Sequence, residues 1–296
     1  MISILIPVFN FEIVSLINEL SRQLDGLNIE GEILVYDDGS SLTYRQLNKP
    51  VVTLKNVIYK ELNKNYGRTG IREILASDAK HLWLLFLDCD SRIVKGDFLS
   101  RYVSAFTQNI DVLIGGRIYP DKPLECYKKL HWKYGVTRES PKGNKAAFHT
   151  NNFCIKKQVF MQINFPGFLN KYGHEDTWMG IELERLGKSV QHINNAVEHL
   201  QIENTEGFLK KTEQALQNLL LISRVVDKEI VSRHVSLFKA YSFINNSRLT
   251  FAVNFVSTIF KSRISQNLNS CNPSLLFFDL YRLHRLIQIS KTKLSN

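Results

Sequence analysis

The stretch Leu82–Arg92, LWLLFLDCDSR, decides how this chain is read. Its first six residues are all aliphatic or aromatic, the pattern of a strand buried on both faces. The run stops at two aspartates one residue apart, Asp88 and Asp90. Carboxylates at the end of a buried strand are costly unless a cation pairs with them. Alternation along an extended chain gives the two side chains different jobs: one can bind a divalent ion while the other holds a ligand hydroxyl or the ion's water. A plain turn and capping cluster is the competing reading of DCDS.

The same logic extends towards the N-terminus. ISILIPVF reads as a first strand closed by Asn10, and EIVSLINELSRQLDG as a helix with Ile13, Leu16, Ile17, Leu20 and Leu24 on one side. EILVYDD and NVIYKEL are further strands, and GRTGIREILASDAK is a second helix. Strands alternating with helices predict an α/β fold with a mostly parallel central sheet flanked by helices. Ligands of such sheets bind outside the carboxyl ends of the strands. That edge would gather Pro7 to Asn10, the pair Asp37–Asp38 and the pair Asp88–Asp90.

Composition is that of a globular protein: 296 residues, 44% hydrophobic and 22% charged. MISILIPVFNF has neither the basic start nor the cleavage site of a secretory leader, so it is read as a strand. The longest apolar run, LTFAVNFVSTIF, is shorter than the ~20 residues of a spanning helix. Cys89, Cys126, Cys154 and Cys271 are scattered without a CxxC pair, which argues against zinc and for reduced thiols in a cytoplasmic protein. The net charge of +10 is uneven: residues 201–296 carry 13 Lys+Arg against 6 Asp+Glu, the first 200 carry 25 against 22. A basic C-terminal third suits an anionic membrane surface or nucleic acid, or is simply a solvated helix face.

Further along, DVLIGGRIY reads as a strand, TNNFCIKKQVFMQI as strand then helix, and SVQHINNAVEHL as a last strand. CYKKLHWKYGVTRESPKGNKAAF reads as a long loop, either solvated or a lid over an anionic or sugar ligand. Trp132, Tyr134 and Trp178 are candidates to stack on a sugar ring or to fill core. In YGHEDTWMG, Gly173 turns the chain, and Glu175 and Asp176 open a helix whose dipole favours negative charge. They are either an acidic cap or, functionally, a general base for a hydroxyl. His199 in AVEHL is a structural histidine or a third metal ligand beside Asp90.

These motifs, in this order, resemble family-two glycosyltransferases, inverting enzymes of the GT-A fold. ISILIPVFN, EILVYDDGS, NYGRTGIRE, LLFLDCDSR, IGGRIY, NNFCIKK, GHEDTWMG and VEHL carry the likeness over about residues 1 to 200. The resemblance implies a UDP-sugar donor, a Mn2+ or Mg2+ ion, and transfer to a hydroxyl with inversion at the anomeric carbon. It places Pro7, Phe9, Asn10, Asp37, Asp38, Arg68, Arg72, Asp88 and Asn152 on the donor, with Asp38 (or Asp37) on the uracil and Asp88 near the ribose. Asp90, His199 and Asp88 form the metal set. GHEDTWMG is similar to the acidic segment of galactosyl- and N-acetylgalactosaminyl-transferring members and of chondroitin-polymerase-type domains. That likeness makes Asp176 the base and Glu175 an acceptor or sugar contact, or the reverse. Three positions depart from the pattern: Glu73 stands for Asn, His174 for Gly, and Tyr172 for Trp or Gly.

The chemistry agrees, since a divalent cation stabilises the departing diphosphate while a base on the opposite face deprotonates the incoming hydroxyl. The alternatives are a nucleotidyltransferase acting on sugar phosphates, which would want a Gly-rich basic loop in place of PVFNFE, or a carbohydrate- or nucleic-acid-binding module. The division expected is a catalytic domain over 1–203 and a basic helical extension over 204–296, nearly continuous from Glu206 to Ile244 and broken near SQNLNSCNP. Its last helix places Leu276, Leu280, Leu283 and Ile287 on one stripe, with Arg282, Arg285 and Lys291 beside it. That stripe would pack on the catalytic domain, form a homo-oligomer, or lie on the inner face of an anionic cell membrane near a lipid-linked glycan acceptor. A bacterial polysaccharide is the expected product, with nucleic acid not expected as a partner.

Overall fold

The computed structural model describes residues 1–121, 125–140, 148–169, 171–247 and 249–292. Its contacts divide the chain into two compact units: Met1–Pro120, Glu139–Phe165 and Glu182–Gln201 form one, and Asp121–Arg138, Pro166–Ile181 and Ile202–Asn296 the other. Two stretches from within the first 203 residues therefore cluster with the C-terminal helices.

The first unit is built on strands β1 (Ile2–Val8), β2 (Gly31–Asp37), β3 (Val57–Glu61), β4 (Trp83–Leu87), β5 (Ser91–Arg92), β6 (Val112–Ile114), β7 (Arg117–Ile118), β8 (Asn152–Lys156), β9 (Val190–His192) and β10 (Val197–His199). Seven of them form one sheet in the order β3-β2-β1-β4-β8-β6-β9. The left half, β3 to β4, is parallel, and β8 runs antiparallel between β4 and β6. Helices α1 (Val14–Asp25), α2 (Leu42–Asn48), α3 (Gly67–Asp78), α4 (Phe98–Ser104) and α6 (Lys157–Phe160) belong to this unit; α5 (Lys129–Tyr134) lies between α4 and α6 in sequence but clusters with the second.

The expected α/β architecture is thus the observed one, and its core follows from composition. All five residues of β4 are buried, as are Ile2, Ile4, Leu5, Ile6 and Val8 of β1. Strands buried on both faces must be apolar throughout. Helix α1 buries Leu16, Ile17, Leu20 and Leu24, the positions its periodicity marked.

Two single strands of the sequence reading are each split. DVLIGGRIY breaks at Gly115–Gly116 into β6 and β7, and SVQHINNAVEHL into β9 and β10. The second halves, with β5, make a separate three-stranded sheet, β5-β10-β7. Glycine permits the break: Gly116 has φ +79, and a Cβ on Gly115 would stand 2.4 Å from Asn152 Nδ2.

In the second unit the helices are α7 (Glu175–Arg185), whose first seven residues cluster here, α8 (Thr205–Val225), α9 (Lys228–His234), α10 (Ser236–Asn246), α11 (Thr250–Ile259), α12 (Lys261–Leu268) and α13 (Leu275–Thr292). The near-continuous helix expected after Glu203 is interrupted where Asp227 and Val235 bound α9, with the Asp227 carboxylate accepting from Glu229 N–H as an N-cap. The loop expected at 126–148 is mostly helical where it is described: Leu130 is buried in a cluster with Ile264, Leu268 and Phe278, and the ring of Tyr134 packs on it. Residues 141–147 lie outside the described ones. Trp178 likewise packs on an apolar cluster, with Phe168 edge-on at 6.1 Å, so Tyr134 and Trp178 fill core. Trp132 is half-buried beneath the Lys129 ammonium.

Four reduced thiols were expected, but Cys126 and Cys271 form a disulfide, leaving Cys89 and Cys154 free. A separation of 145 positions hides the pair from any spacing argument. The last helix also differs from the expected stripe. Leu276 is 77% exposed, whereas Phe278, Leu286, Ile287 and Ile289 are buried, because α13 packs against α8, α10, α11 and α12 on several sides. Arg285 pairs with Glu213 of α8 at 2.8 Å and Arg282 with Asp279.

Candidate functional site

Strands β1, β2 and β4 are adjacent and parallel, so their carboxyl ends share one edge. Phe9, 51% exposed, and Asn10, with φ +49, follow β1 there. Asn10 is locked to the next loop: its N–H donates to Ser40 Oγ at 2.8 Å and its Oδ1 accepts from Ser41 N–H at 2.8 Å. Pro7 is half-buried at the same end.

The structure separates the two aspartates of YDDGS. Asp37 is wholly buried and accepts from Ser40 N–H at 2.7 Å and the Tyr59 hydroxyl at 3.3 Å. It shapes the loop. Asp38 accepts from Tyr66 N–H at 2.7 Å and Gly67 N–H at 3.0 Å, and so caps the start of α3 from another element. Burial pushes its carboxyl above the usual range, against the pull of those two N–H groups.

Asp88 meets the buried face of α3. Arg72 has only 5% of its side chain exposed, and its guanidinium lies 2.6 Å from Asp88, with Arg68 at 3.6 Å on the other carboxylate oxygen. Arg72 also donates to the Arg68 carbonyl at 2.9 Å. A buried arginine on a helix's core face is explained by this carboxylate.

Asp90 meets His199 instead. In the small sheet β10 runs antiparallel to β5, with His199 opposite Ser91, and Leu200 N–H donates to the Asp90 carbonyl at 2.8 Å. This register sets His199 Nδ1 3.4 Å from Asp90 Oδ2. Burial works to raise the Asp90 carboxyl, but His199 and the charges of Arg68 and Arg117 hold it below its usual value. Among the described residues there is no group of three or more His, Cys, Asp or Glu placed to hold a metal ion. The structure therefore joins Asp90 to His199 and turns Asp88 to arginine. The pair still fits a cation. Two donors 3.4 Å apart, each about 2.1–2.2 Å from one ion, subtend roughly 100–110°, an angle open to four- or six-coordinate metals. Carboxylate with imidazole suits Mn2+ better than Mg2+, which prefers oxygen alone.

Asn152 lies beneath this edge and is wholly buried. Its Oδ1 accepts from the Tyr102 hydroxyl at 2.7 Å, and its Nδ2 donates to the carbonyls of Gly116 and Asn195 at 2.9 Å each. With both amide atoms committed, it braces the strand ends beneath this edge.

The sequence reading assigned no role to Arg117, Tyr119 or Glu139. Arg117 pairs with Glu139 at 3.2 Å, the Tyr119 hydroxyl donates to the same carboxylate, and the Tyr119 ring lies edge-on to His199 at 5.5 Å. IGGRIY was the available signal: Arg117 opens β7 directly after the glycine break, and Tyr119 follows its last residue.

In the second unit, the segment before the acid pair has Gly173 at φ +93 and His174 at φ +66. Helix α8 pins it, with Asn218 Nδ2 donating to the Gly173 carbonyl at 2.7 Å and to the Lys171 carbonyl at 3.0 Å. Ala215 fills the space beside Gly173, where a Cβ would come within 2.5 Å. Glu175 and Asp176 then open α7 as expected. Glu175 is buried, at 8% exposure, and Asp176 is half-buried with Oδ1 accepting from Thr177 N–H at 2.7 Å. Desolvation pushes the His174 imidazole below its usual range, against the pull of Asp176 and Glu175.

The whole chain is similar in fold to a mannosyltransferase from Pyrobaculum calidifontis, solved with GDP-Man and Mn2+, at 12% identity and a TM-score of 0.63 over 99% of this chain and 86% of that one. Staphylococcus aureus TarS, residues 1–349, aligns over 99% of this chain and 91% of that one at 17% identity and a TM-score of 0.54. Glucosyl-3-phosphoglycerate synthase from Mycobacterium tuberculosis, solved with Mn2+, UDP and its product, aligns over 76% and 79% at 15% identity and a TM-score of 0.52. No curated protein matches the sequence. The family model of Glycosyl transferase family 2 matches residues 3–172, more than half of the chain, beginning in β1 and taking in the strand-end aspartates. The chain therefore belongs to glycosyl transferase family 2.

Proposed function

We propose that this protein transfers a hexose or N-acetylhexosamine from a UDP-sugar to a hydroxyl of a glycan acceptor, with inversion and with a divalent cation, in polysaccharide assembly. The observation that carries the reading is the Asp90–His199 pair, 3.4 Å apart at the end of the sheet's central strands. Asp90 and His199 would hold the cation, and two protein ligands suffice where a diphosphate supplies the remaining oxygens. When bound, the ion neutralises charge that grows on the leaving diphosphate. Asp88, oriented by Arg72 and Arg68, is assigned to the donor's ribose, and Phe9 and Asn10 line the nucleotide edge. Asp38 is assigned to the uracil through the acceptor capacity its two N–H bonds leave. The Mn2+ and nucleotides of two structures similar in fold are in keeping with this.

The acceptor's proton is assigned to Asp176, following the likeness of GHEDTWMG to acidic segments of hexosyl-transferring members. One feature supports Asp176 over Glu175: it is the more exposed of the two, while the N-terminus of α7 favours the anion of both. Glu175 then contacts acceptor or sugar.

Calorimetric titration of UDP, with GDP for comparison, tests the assignment with and without Mn2+ on wild type and Asp90→Ala. UDP binding that needs Mn2+ and weakens at least tenfold in the variant is expected. Folded wild type that binds neither nucleotide under any condition would overturn the proposal; preference for GDP would replace the uridine donor.

A further inference from the structure

Helix α11 is built inside out. Two of its polar residues face the bundle: Ser257 is buried at 4% exposure, and Asn254 Oδ1 lies 3.1 Å from His284 Nδ1 of α13. Its apolar residues face outward: Phe251 is 77% exposed, Phe255 58% and Ile259 59%, one above the next at a spacing of four, with Ala252 and Val256 beside them. The Phe251 and Phe255 rings stack at 6.2 Å with solvent around them. Phe243 at the end of α10 and Leu249 just before α11 are exposed as well, at 66% and 47%. At about 200 Å² per ring, the three phenylalanines alone offer about 400 Å² of apolar surface, as much as the largest patch on many monomers.

The charge along this stretch of the chain has one sign. Residues 230–278 contain five Lys or Arg and no Asp or Glu. Lys261 and Arg263, both exposed, open α12 directly after the apolar face, and the Arg263 guanidinium lies over the Phe260 ring at 5.7 Å. An apolar helix face carrying aromatic residues, in a stretch of chain whose only charges are cations, matches a bilayer interface with anionic headgroups. Among the described residues no helix is long and apolar enough to cross a membrane, so the fitting contact lies in the plane of the interface.

We infer that α11, with Phe251, Phe255 and Ile259 inserted and Lys261 and Arg263 on headgroup phosphates, docks this protein on an anionic lipid bilayer. The contact belongs to α11, not to α13, whose apolar residues are mostly spent on packing. It is independent of the donor assigned above, and its test reads no transfer activity.

The test is sedimentation of the full chain with vesicles of phosphatidylcholine alone and of phosphatidylcholine with 30% phosphatidylglycerol, alongside light scattering for mass. Wild type should bind the anionic vesicles and weaken with salt. Phe251→Ser/Phe255→Ser, at exposed positions and with an unchanged melting curve, should bind at least tenfold less. Lys261→Glu/Arg263→Glu should lose more than about fivefold per residue, since each reversal removes one attractive charge and adds a repulsive one. Folded wild type that stays in the supernatant with both vesicles would overturn the inference, as would equal binding by the phenylalanine variant. A wild-type dimer that this variant makes monomeric, without vesicle binding by either, would assign the face to a second copy instead.

Discussion

Replacing Arg72 with Met tests the claim that a buried ion pair positions the strand-end carboxylate. The side chains of Arg72 and Asp88 are 5% and 19% exposed, and their charged atoms lie 2.6 Å apart. Removing one partner of a fully buried pair costs about 3–5 kcal/mol, because the remaining charge is left in a poor solvent. Here Asp88 keeps some water and keeps Arg68 at 3.6 Å, so about 2 kcal/mol is expected for R72M. Asp88→Asn strands the more deeply buried guanidinium and should cost at least as much. The double variant removes both charges and should be more stable than the sum of the single costs implies, with a coupling of about 1.5 kcal/mol or more. Urea unfolding of the four proteins, followed by circular dichroism, measures this; with m about 3 kcal/mol/M, R72M should move the midpoint by about 0.7 M. A coupling under about 0.5 kcal/mol would refute the reasoning, because Asp88 would then not be held by Arg72. Arg72→Lys keeps the charge but not the bond to the Arg68 carbonyl, and should fall between wild type and R72M.

His174→Gly relieves a left-handed residue at φ +66, worth about 1 kcal/mol, but deletes a half-buried ring, so its clearer signature is in pH dependence. Burial lowers the folded pKa of His174 below the ordinary histidine value, so the unfolded chain takes up the proton first and stability falls as pH drops below about 6.5; unfolding across pH 5–8 should show a flatter slope in the variant. Gly115→Ala drives a Cβ to 2.5 Å from the Tyr102 hydroxyl and 2.7 Å from the Asn195 carbonyl, and should cost about 3 kcal/mol or more, while Gly96→Ala, with open space around it, should stay within about 0.5; thermal melts compare them. Reducing Cys126–Cys271 should lower stability by about 2–4 kcal/mol, and Cys126→Ser/Cys271→Ser should melt at the reduced protein's temperature whether or not reductant is present.

Much of the first unit was legible because its signals are local. Two-face burial makes a strand apolar from end to end, so β1, β2 and β4 announce themselves, β1 ending just before Asn10 and the other two at their aspartates. The periodicity of α1 and the acidic opening of α7 are equally local. The C-terminal helices were harder to read. In a bundle covered on several sides, apolar residues do not keep to one stripe; Leu276 is exposed while Phe278 and Ile289 are buried.

By itself the sequence determined the α/β class, the strand ends at which polar residues collect, and the identity of the two acidic pairs, since each depends on residues within a few positions of one another. Tertiary structure alone decided what each carboxylate does. Asp37 is sealed in, Asp38 caps a distant helix, Asp88 is clasped by arginines, and Asp90 meets a histidine 109 positions away through a two-residue ladder. An aspartate's role is set by which charge or N–H lies within about 3 Å of it, through hydrogen bonding and Coulomb attraction that decay over a few ångströms. Those neighbours arrive by folding, from segments no local pattern connects.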